Sequence, residues 1–316
     1  MSKYYIGIDI GGMSIKAGVV DENGKILEKR SCVTRAKENY TVIVEDMYKL
    51  CKEVIAVCNL TETDIEAVGI GCPGTVDSKR GVITFAANLN FNNVDIISEF
   101  KKHWNVRCEV NNDANCAALG EAKFGEEKNV TDALFVTLGT GIGTGFIIDG
   151  KIFEGDCGAG AEGGHICIKM NGEKCSCGEK GCWEAYASAT ALLRQTAKAA
   201  KAHPESIMNE LIKENGLNGT VPFEAYKKGD KTATRVIKNY VKYIAAGIVT
   251  LVNVFRPKVV MIGGGVSNAG EYFIKMIEEE VAQHVFGGKV NKIPKIVKAV
   301  LGNDAGIVGA AAPVMD

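Results

Sequence analysis

The sequence predicts an α/β protein of two domains built on one plan, and three observations carry that reading. Residues 4–21, YYIGIDIGGMSIKAGVVD, read as an apolar strand, a turn at Gly11-Gly12 and a second apolar strand. Residues 132–153, DALFVTLGTGIGTGFIIDGKIF, repeat the design, so the chain opens the same module twice. With 316 residues, 46% of them apolar, there is material for two cores of ordinary size. The expected arrangement is a duplicated pair of α/β domains with a cleft between them.

The remaining elements follow in order. Val44, Met47, Leu50, Cys51, Val54, Ile55 and Cys58 recur at three- and four-residue steps, which predicts a helix over 41–58 with one buried face. IEAVGIGCPG is a short strand running into a turn. NVRCEVNNDANCAALGEAKFG is a strand, a polar corner and a helix that starts near Ala114, capped by Asn112 or Asp113. The second half reads as helices over 183–202, 206–214 and 232–255, the last stopped by Pro257. A strand then enters the glycine turn of KVVMIGGGVS, followed by a helix over 270–285, a last strand in KIVKAVLG, and a helical end up to Pro313.

Composition excludes several classes. No apolar run approaches the roughly 18 residues of a membrane span, and the first residues lack the pattern of a secretory signal, so a cytoplasmic protein is expected. A formal net charge of −1 without a Lys/Arg block argues against nucleic acid and for a small-molecule partner. The 11 cysteines of a reducing compartment are expected to be thiols or metal ligands; Cys51, Cys58, Cys72 and Cys116 read as small core fillers.

Glycine turns allow backbone N–H groups to approach phosphate oxygens. Three qualify: Gly11-Gly12, the run Gly139, Gly141, Gly143 and Gly145, and Gly263-Gly264-Gly265. Each alone is equally a tight hairpin. GIGCPG and GAGAEG match the dinucleotide string but open no helix of a βαβ unit, and no G-x-x-x-x-G-K-[ST] is present.

His165, Cys175, Cys177 and Cys182 form H-x9-C-x-C-x4-C, four N/S donors close enough to surround one ion, with Gly172, Gly178 and Gly181 supplying turns. Structural zinc is the natural occupant; a redox pair or unrelated thiols are the other readings. Cys167 is a possible substitute ligand. Asp113 reads either as a helix cap or as a general base on a rigid corner, with Asn112 and Asn115 able to hold hydroxyls. Glu162, His165 and Glu184 add the donors and acceptors that sugar hydroxyls require.

These residues together resemble the ROK family of repressors, uncharacterised reading frames and sugar kinases, over essentially the whole chain and most of all its glucose-phosphorylating members. IGIDIGGMSIKAGVV resembles the family's first phosphate motif, LGTGIGTG the second and VVMIGGGVS the adenosine motif; EGGH with CSCGEKGCWE resembles its most diagnostic signature. The resemblance implies an actin-like, ribonuclease-H-like fold and a kinase using ATP and Mg²⁺ on the 6-hydroxyl of a hexose, glucose first. It implies phosphate and nucleotide contacts at Asp9, Gly11, Gly12, Met13, Lys16, Gly139, Thr140, Gly141, Gly263, Gly264 and Gly265. It also implies Asp113 as base, Asn88, Asn112, Asp113, Glu162, His165 and Glu184 on the sugar, and zinc on His165, Cys175, Cys177 and Cys182. The implied domains are 1–118 plus 302–316, and 119–301 with the zinc loop; a homodimer is expected.

The chain departs from the pattern twice. Met13 replaces the usual Thr or Ser, and Gly163, at a commonly apolar position, is expected to loosen the local backbone. Fructose, mannose, N-acetylmannosamine or allose are the other substrates to consider. A sugar-sensing repressor is expected to carry a helix-turn-helix ahead of the first strand, which here begins by Tyr4, and a zinc enzyme is expected to keep an open coordination position.

Overall fold

The computed structural model describes residues 3–288 and 290–315. The strands and helices in chain order are β1 (Tyr4–Ile10), β2 (Ser14–Asp21), β3 (Ile26–Val33), α1 (Tyr40–Val57), β4 (Ile65–Cys72), β5 (Thr75–Asp77), β6 (Val82–Ala86), β7 (Phe91–Asp95), α2 (Ile96–Lys101), β8 (Cys108–Asn112) and α3 (Asp113–Phe124). There follow β9 (Ala133–Leu138), β10 (Ile142–Ile148), β11 (Lys151–Ile152), α4 (Glu184–Ala187), α5 (Ala189–Ala202), α6 (Met208–Asn215), α7 (Val221–Lys227), α8 (Lys231–Phe255), β12 (Val259–Gly263), α9 (Glu271–His284), β13 (Lys295–Lys298) and α10 (Ala305–Ala311). No described helix is long and apolar enough to cross a membrane.

The chain divides into two compact units, one comprising 1–135, 145–161 and 300–316, the other 136–144 and 162–299. Residues 119–135 thus fall in the first unit. The physical reason is α3, which crosses α10 so closely that a Cβ on Gly309 would lie 2.1 Å from Cys116 O, and one on Gly120 2.8 Å from Gly309 Cα. Glu121, buried on α3, adds two bonds to the same segment: its carboxylate accepts from Val300 N (3.1 Å) and Leu301 N (2.7 Å). Burial pushes this carboxyl up, and the two backbone N–H groups oppose the shift.

The sheet of the first unit has the order β3-β2-β1-β4-β8, with β1, β4 and β8 parallel and β2 antiparallel to both its neighbours, β1 and β3. Alternation along β1 assigns its faces. Ile6, Ile8 and Ile10 pack with the apolar stripe of α1, while Tyr5 packs with Ile307 and Ala311 of α10. On the α10 face, Gly7 pairs with Gly18 on one side and Gly69 on the other, a row of three glycines across adjacent strands. A Cβ on Gly7 would stand 1.9 Å from Ile307 O, and one on Gly69 1.8 Å from Ala310 O. The helix backbone thus rests directly on the sheet. A smaller antiparallel sheet, β5-β6-β7, completes this unit.

The second five-stranded sheet has the order β11-β10-β9-β12-β13. In the second unit, α8 carries twelve buried positions along one stripe, including Val236, Tyr240, Ile244, Ile248 and Leu251. The single helix expected over 183–202 is two: Ser188 turns to extended backbone and caps α5 by accepting from Ala191 N at 3.1 Å. Of the four cysteines read as core fillers, Cys51, Cys72 and Cys116 are buried, while Cys58 is half-buried at the C-cap of α1.

Replacing Gly7 with Ala forces α10 off the strand at the site where its backbone is closest. The expected result is a loss of about 1–3 kcal/mol, read as a lower urea midpoint with an unchanged slope.

Candidate active site and metal loop

In the first unit, parallel pairing aligns three strand ends. Asp9 of β1 lies opposite Gly71 of β4, and Cys72 opposite Asn112 of β8. Ligand sites of open α/β sheets form at such carboxyl ends. Asp9 receives a 3.1 Å ion pair from Lys16, its register partner on β2. Gly306 at the start of α10 presses on the same carboxylate, since a Cβ there would lie 2.6 Å from it.

The turn between β1 and β2 is closed by Gly11 N donating to Ser14 O at 2.9 Å. Thr34 pins it from outside: its hydroxyl donates to Gly11 O (2.6 Å) and its N–H to Met13 O (3.0 Å). Met13 is 87% exposed, so its side chain supports nothing in the fold. Asn88, exposed between β6 and β7, has its Cβ 3.4 Å from where a Cβ on Gly12 would sit. The polar corner therefore gathers Asp9, Lys16, the Gly11–Met13 turn and Asn88.

Asn112 is the helix cap of α3. Its Oδ1 accepts from Ala114 N (2.9 Å) and Asn115 N (3.2 Å), and its Nδ2 donates to Gly74 O (3.0 Å). Asp113 is the first residue of the helix, its Oδ1 accepting from Ala114 N at 2.9 Å. Of the two residues proposed as caps the amide does the capping. The carboxylate occupies the next position, where the partial positive charge of a helix start favours an anion. Asp113 and Asp9 belong to one electrostatic neighbourhood: burial pushes the thiols of Cys72 and Cys116 well up, and both carboxylates raise them further. Asn115, expected to hold hydroxyls, instead faces inward, 4% exposed.

In the second unit the glycine turn between β9 and β10 is closed by Gly139 N donating to Gly141 O at 3.0 Å. The start of α5 is tied to it by Ala189 N donating to Gly139 O (2.8 Å) and the Thr190 hydroxyl donating to Thr140 O (2.8 Å). Gly264 adopts φ +81° beside the end of β9, where a Cβ would lie 2.5 Å from Leu138 O. The Gly139–Gly141 and Gly263–Gly265 turns are thus neighbours across adjacent strands.

The donor atoms of His165, Cys175, Cys177 and Cys182 all lie within 4.8 Å of one another. Cys177 Sγ is 3.6 Å from Cys182 Sγ, and Cys175 Sγ 3.7 Å from His165 Nδ1. A tetrahedral ion with metal–sulfur bonds of about 2.3 Å has ligand–ligand edges of about 3.8 Å. The spacing fits four-coordinate binding. Cys167 stands outside the cluster, exposed, with its thiol directed at Lys180 O. The Glu179 backbone N–H holds the Cys177 thiol below the usual thiol range, whereas burial pushes Cys182 up to about 12. A cation must displace the Cys182 proton, so its binding weakens as pH falls.

Two aromatics that the motif reading passed over position this loop. Trp183, fully buried, donates from Nε1 to Tyr243 O of α8 at 2.8 Å, its ring filling the space above Gly247. Tyr186 accepts from Glu173 N at 2.6 Å and packs its ring 4.8 Å from that of Tyr243. Their signal was adjacency to Cys182. Glu184, expected on a sugar, here accepts from Ile142 N of the glycine turn (2.9 Å) and from the Ser176 hydroxyl (3.0 Å), joining the cysteine loop to that turn. Glu162 and His165 are exposed. Gly163 does not loosen the backbone as expected: it is buried, its N–H donates to Thr144 Oγ1 at 2.8 Å, and a Cβ would meet that hydroxyl at 2.8 Å.

Two α/β units with acidic and glycine corners at their strand ends constitute the actin-like, ribonuclease-H-like fold. A profile described as the ROK family matches residues 5–316, and the chain belongs to that family. The glucokinase of Thermotoga maritima is 33% identical over 313 residues, covering 98% of this chain and 97% of that protein. The crystal structure of a ROK family glucokinase from Streptomyces griseus in complex with glucose and AMPPNP superposes with a TM-score of 0.82 at 36% identity, covering 98% of each chain. A xylose repressor of Caldicellulosiruptor bescii is 30% identical, covering 98% of this chain and 77% of the repressor.

Gly247→Ala is expected to dislodge the Trp183 ring from α8. The measurement is intrinsic fluorescence alongside thermal unfolding: a red-shifted emission together with a loss of about 1–3 kcal/mol.

Proposed function

We propose that the protein is an ATP-dependent hexokinase that phosphorylates the 6-hydroxyl of glucose. The observation that supports this reading most directly is the gathering, at the carboxyl ends of the parallel strands β1 and β8 on either side of β4, of Asp9 with its ion-pair partner Lys16 and of Asp113 in the first turn of α3. Similarity to proteins named glucokinase over nearly their whole length supports the same substrate. A homodimer in solution belongs to this reading by family likeness.

In this mechanism Asp113 accepts the proton of the sugar 6-hydroxyl as its oxygen attacks the terminal phosphorus; the new O–P bond forms while the bond to the leaving ADP oxygen breaks. ATP with Mg²⁺ supplies the phosphoryl group and neutralises charge on it. The N–H groups of the Gly11–Met13 and Gly139–Gly141 turns are suited to phosphate oxygens, Lys16 to a further one, and the Gly263–Gly265 turn to the nucleoside end. Asn88, Asn112, Glu162, His165 and Glu184 would share the sugar hydroxyls. For Asn112 and Glu184 this requires that they accept or donate beyond the backbone partners they already hold.

Zinc is the ion we assign to His165, Cys175, Cys177 and Cys182. Three thiolates and an imidazole suit its borderline softness, and four protein ligands leave no position for water. With Nδ1 of His165 turned to the cluster, Nε2 remains for a hydroxyl. The metal would act as a brace, fixing the loop whose Trp183 and Glu184 anchor it to α8 and to the glycine turn.

The first test is a coupled ADP-release assay against glucose, fructose, mannose, allose, N-acetylglucosamine and N-acetylmannosamine. Glucose is expected to dominate. Another dominant hexose would leave a ROK sugar kinase and remove the glucose assignment; sugar binding without turnover would favour a sensor. Asp113→Asn is expected to lower kcat by roughly 10²–10⁴-fold while glucose binding, by calorimetry, persists. For the brace, Cys177→Ala is expected to lower zinc content and melting temperature together. Full zinc at unchanged stability would remove that role.

A further inference from the structure

We infer that Glu154 is a positioning residue for the Asn112-Asp113 corner, acting through the side-chain amide of Asn111. The inference rests on the reading of Asp113 as the base, and its test is arranged so that the two can fail separately. Glu154 follows the short strand β11, 43 residues along the chain from Asn111, and its Oε1 accepts from Asn111 Nδ2. Its other oxygen, Oε2, accepts from the Ser78 hydroxyl at 2.7 Å, so one carboxylate ties together three separate segments of the first unit.

The consequence lies in the polarity of the amide. Asn111 is 8% exposed on β8, and its Oδ1 accepts two bonds, from Asn112 N at 2.8 Å and from Asn115 Nδ2 at 3.2 Å. An amide has one accepting and one donating end, and rotation of half a turn exchanges them. A carboxylate offers only acceptors, so Glu154 admits only the orientation with Nδ2 towards it and Oδ1 towards the corner. The flipped amide would aim its donors at the N–H of Asn112 and the Nδ2 of Asn115, setting donor against donor at both bonds.

Both partners of Asn111 Oδ1 are sensitive to its loss. Asn112 N belongs to the capping residue of α3 on the edge strand of the sheet, and its bond is to a side chain rather than to a neighbouring strand. Asn115 is buried, and its Oδ1 has no hydrogen-bond partner among the described residues, so the bond from Nδ2 to Asn111 is what orients it. Asp113 lies between these two residues in sequence. A carboxylate that must meet a hydroxyl within hydrogen-bond reach loses rate steeply when misplaced, on the order of 10²-fold for 1 Å.

Glu154 also borders a cavity of about 360 Å³, lined in addition by Ser78, Lys79, Glu109, Asn111 and Lys151. Removing its carboxylate therefore enlarges a space at the surface rather than opening a hole in the core, and the variants are expected to fold.

The test uses the full chain with four variants, Glu154→Ala, Glu154→Gln, Asn111→Asp and the double variant Asn111→Asp with Glu154→Gln. Amide hydrogen exchange at residues 112–115 is read beside kcat and the glucose KM. Glu154→Ala is expected to speed exchange at the corner and to lower kcat roughly tenfold or more, with KM within about twofold. Glu154→Gln, which keeps an acceptor for Asn111, should restore both. Asn111→Asp sets carboxylate against carboxylate and should behave like Glu154→Ala, whereas the double variant reverses donor and acceptor at that one bond and should recover. Exchange and kcat of Glu154→Ala matching the wild type would overturn the inference, as would failure of the double variant to rescue. If exchange follows the expected pattern while even the wild type releases no ADP with any hexose, the positioning of the corner stands and the reading of Asp113 as base falls.

Discussion

The approach of α10 to the glycine row of the first sheet is the constraint on which the architecture rests. Gly7, Gly18 and Gly69 stand side by side on three strands; the backbone of α10 occupies the volume that side chains on Gly7 and Gly69 would fill, and the Ile307 side chain lies over Gly18. Gly120 and Gly309 repeat the device where α3 crosses α10. Backbone contact at this range admits no intermediate fit, because a single methyl group would overlap a carbonyl oxygen. It also draws the C-terminal segment into the first unit, where Glu121 fixes its entry through Val300 and Leu301. The start of α10 is thereby set against Asp9, and the acidic corner takes its shape from a helix some 300 residues away in the chain.

The second unit solves a different problem, that of holding a short irregular loop with little core of its own. Its hydrophobic cluster consists of Cys175, Cys182, Ala185 and Tyr186. Trp183 and Tyr186 fasten one side to α8, and Glu184 fastens the other to the β9–β10 turn. A four-ligand ion at the cysteines would add the cross-link that such a loop lacks. The carboxylate of Glu184 joins the loop to the turn through bonds of 2.9 and 3.0 Å.

In the first unit one side-chain amide type takes three different tasks. Asn111, Asn112 and Asn115 have the same side chain within five positions of one another, yet one relays orientation, one caps a helix and one packs inward. Nothing in NNDAN separates these tasks. They follow from which way β8 and the first turn of α3 present each residue and from what arrives opposite, and the carboxylate of Glu154 arrives from a hairpin 43 residues away.

The strand–turn–strand modules, the stripe of α1, a helix start near residue 114 and the cluster of His165, Cys175, Cys177 and Cys182 were legible in the sequence, because periodicity, glycine placement and ligand spacing are local properties. Local signals also announced the polar corner at Asn112-Asp113. The tertiary structure alone decided that Asn115 points inward, that Gly163 is confined rather than loose, and that Glu184 spends its carboxylate on Ile142 N and Ser176. It alone joined residues 119–135 and 300–316 in one compact unit, and it alone brought Glu154 to Asn111. A residue's partners across the fold are fixed by packing between distant segments, and the spacing of letters along one segment holds no record of them.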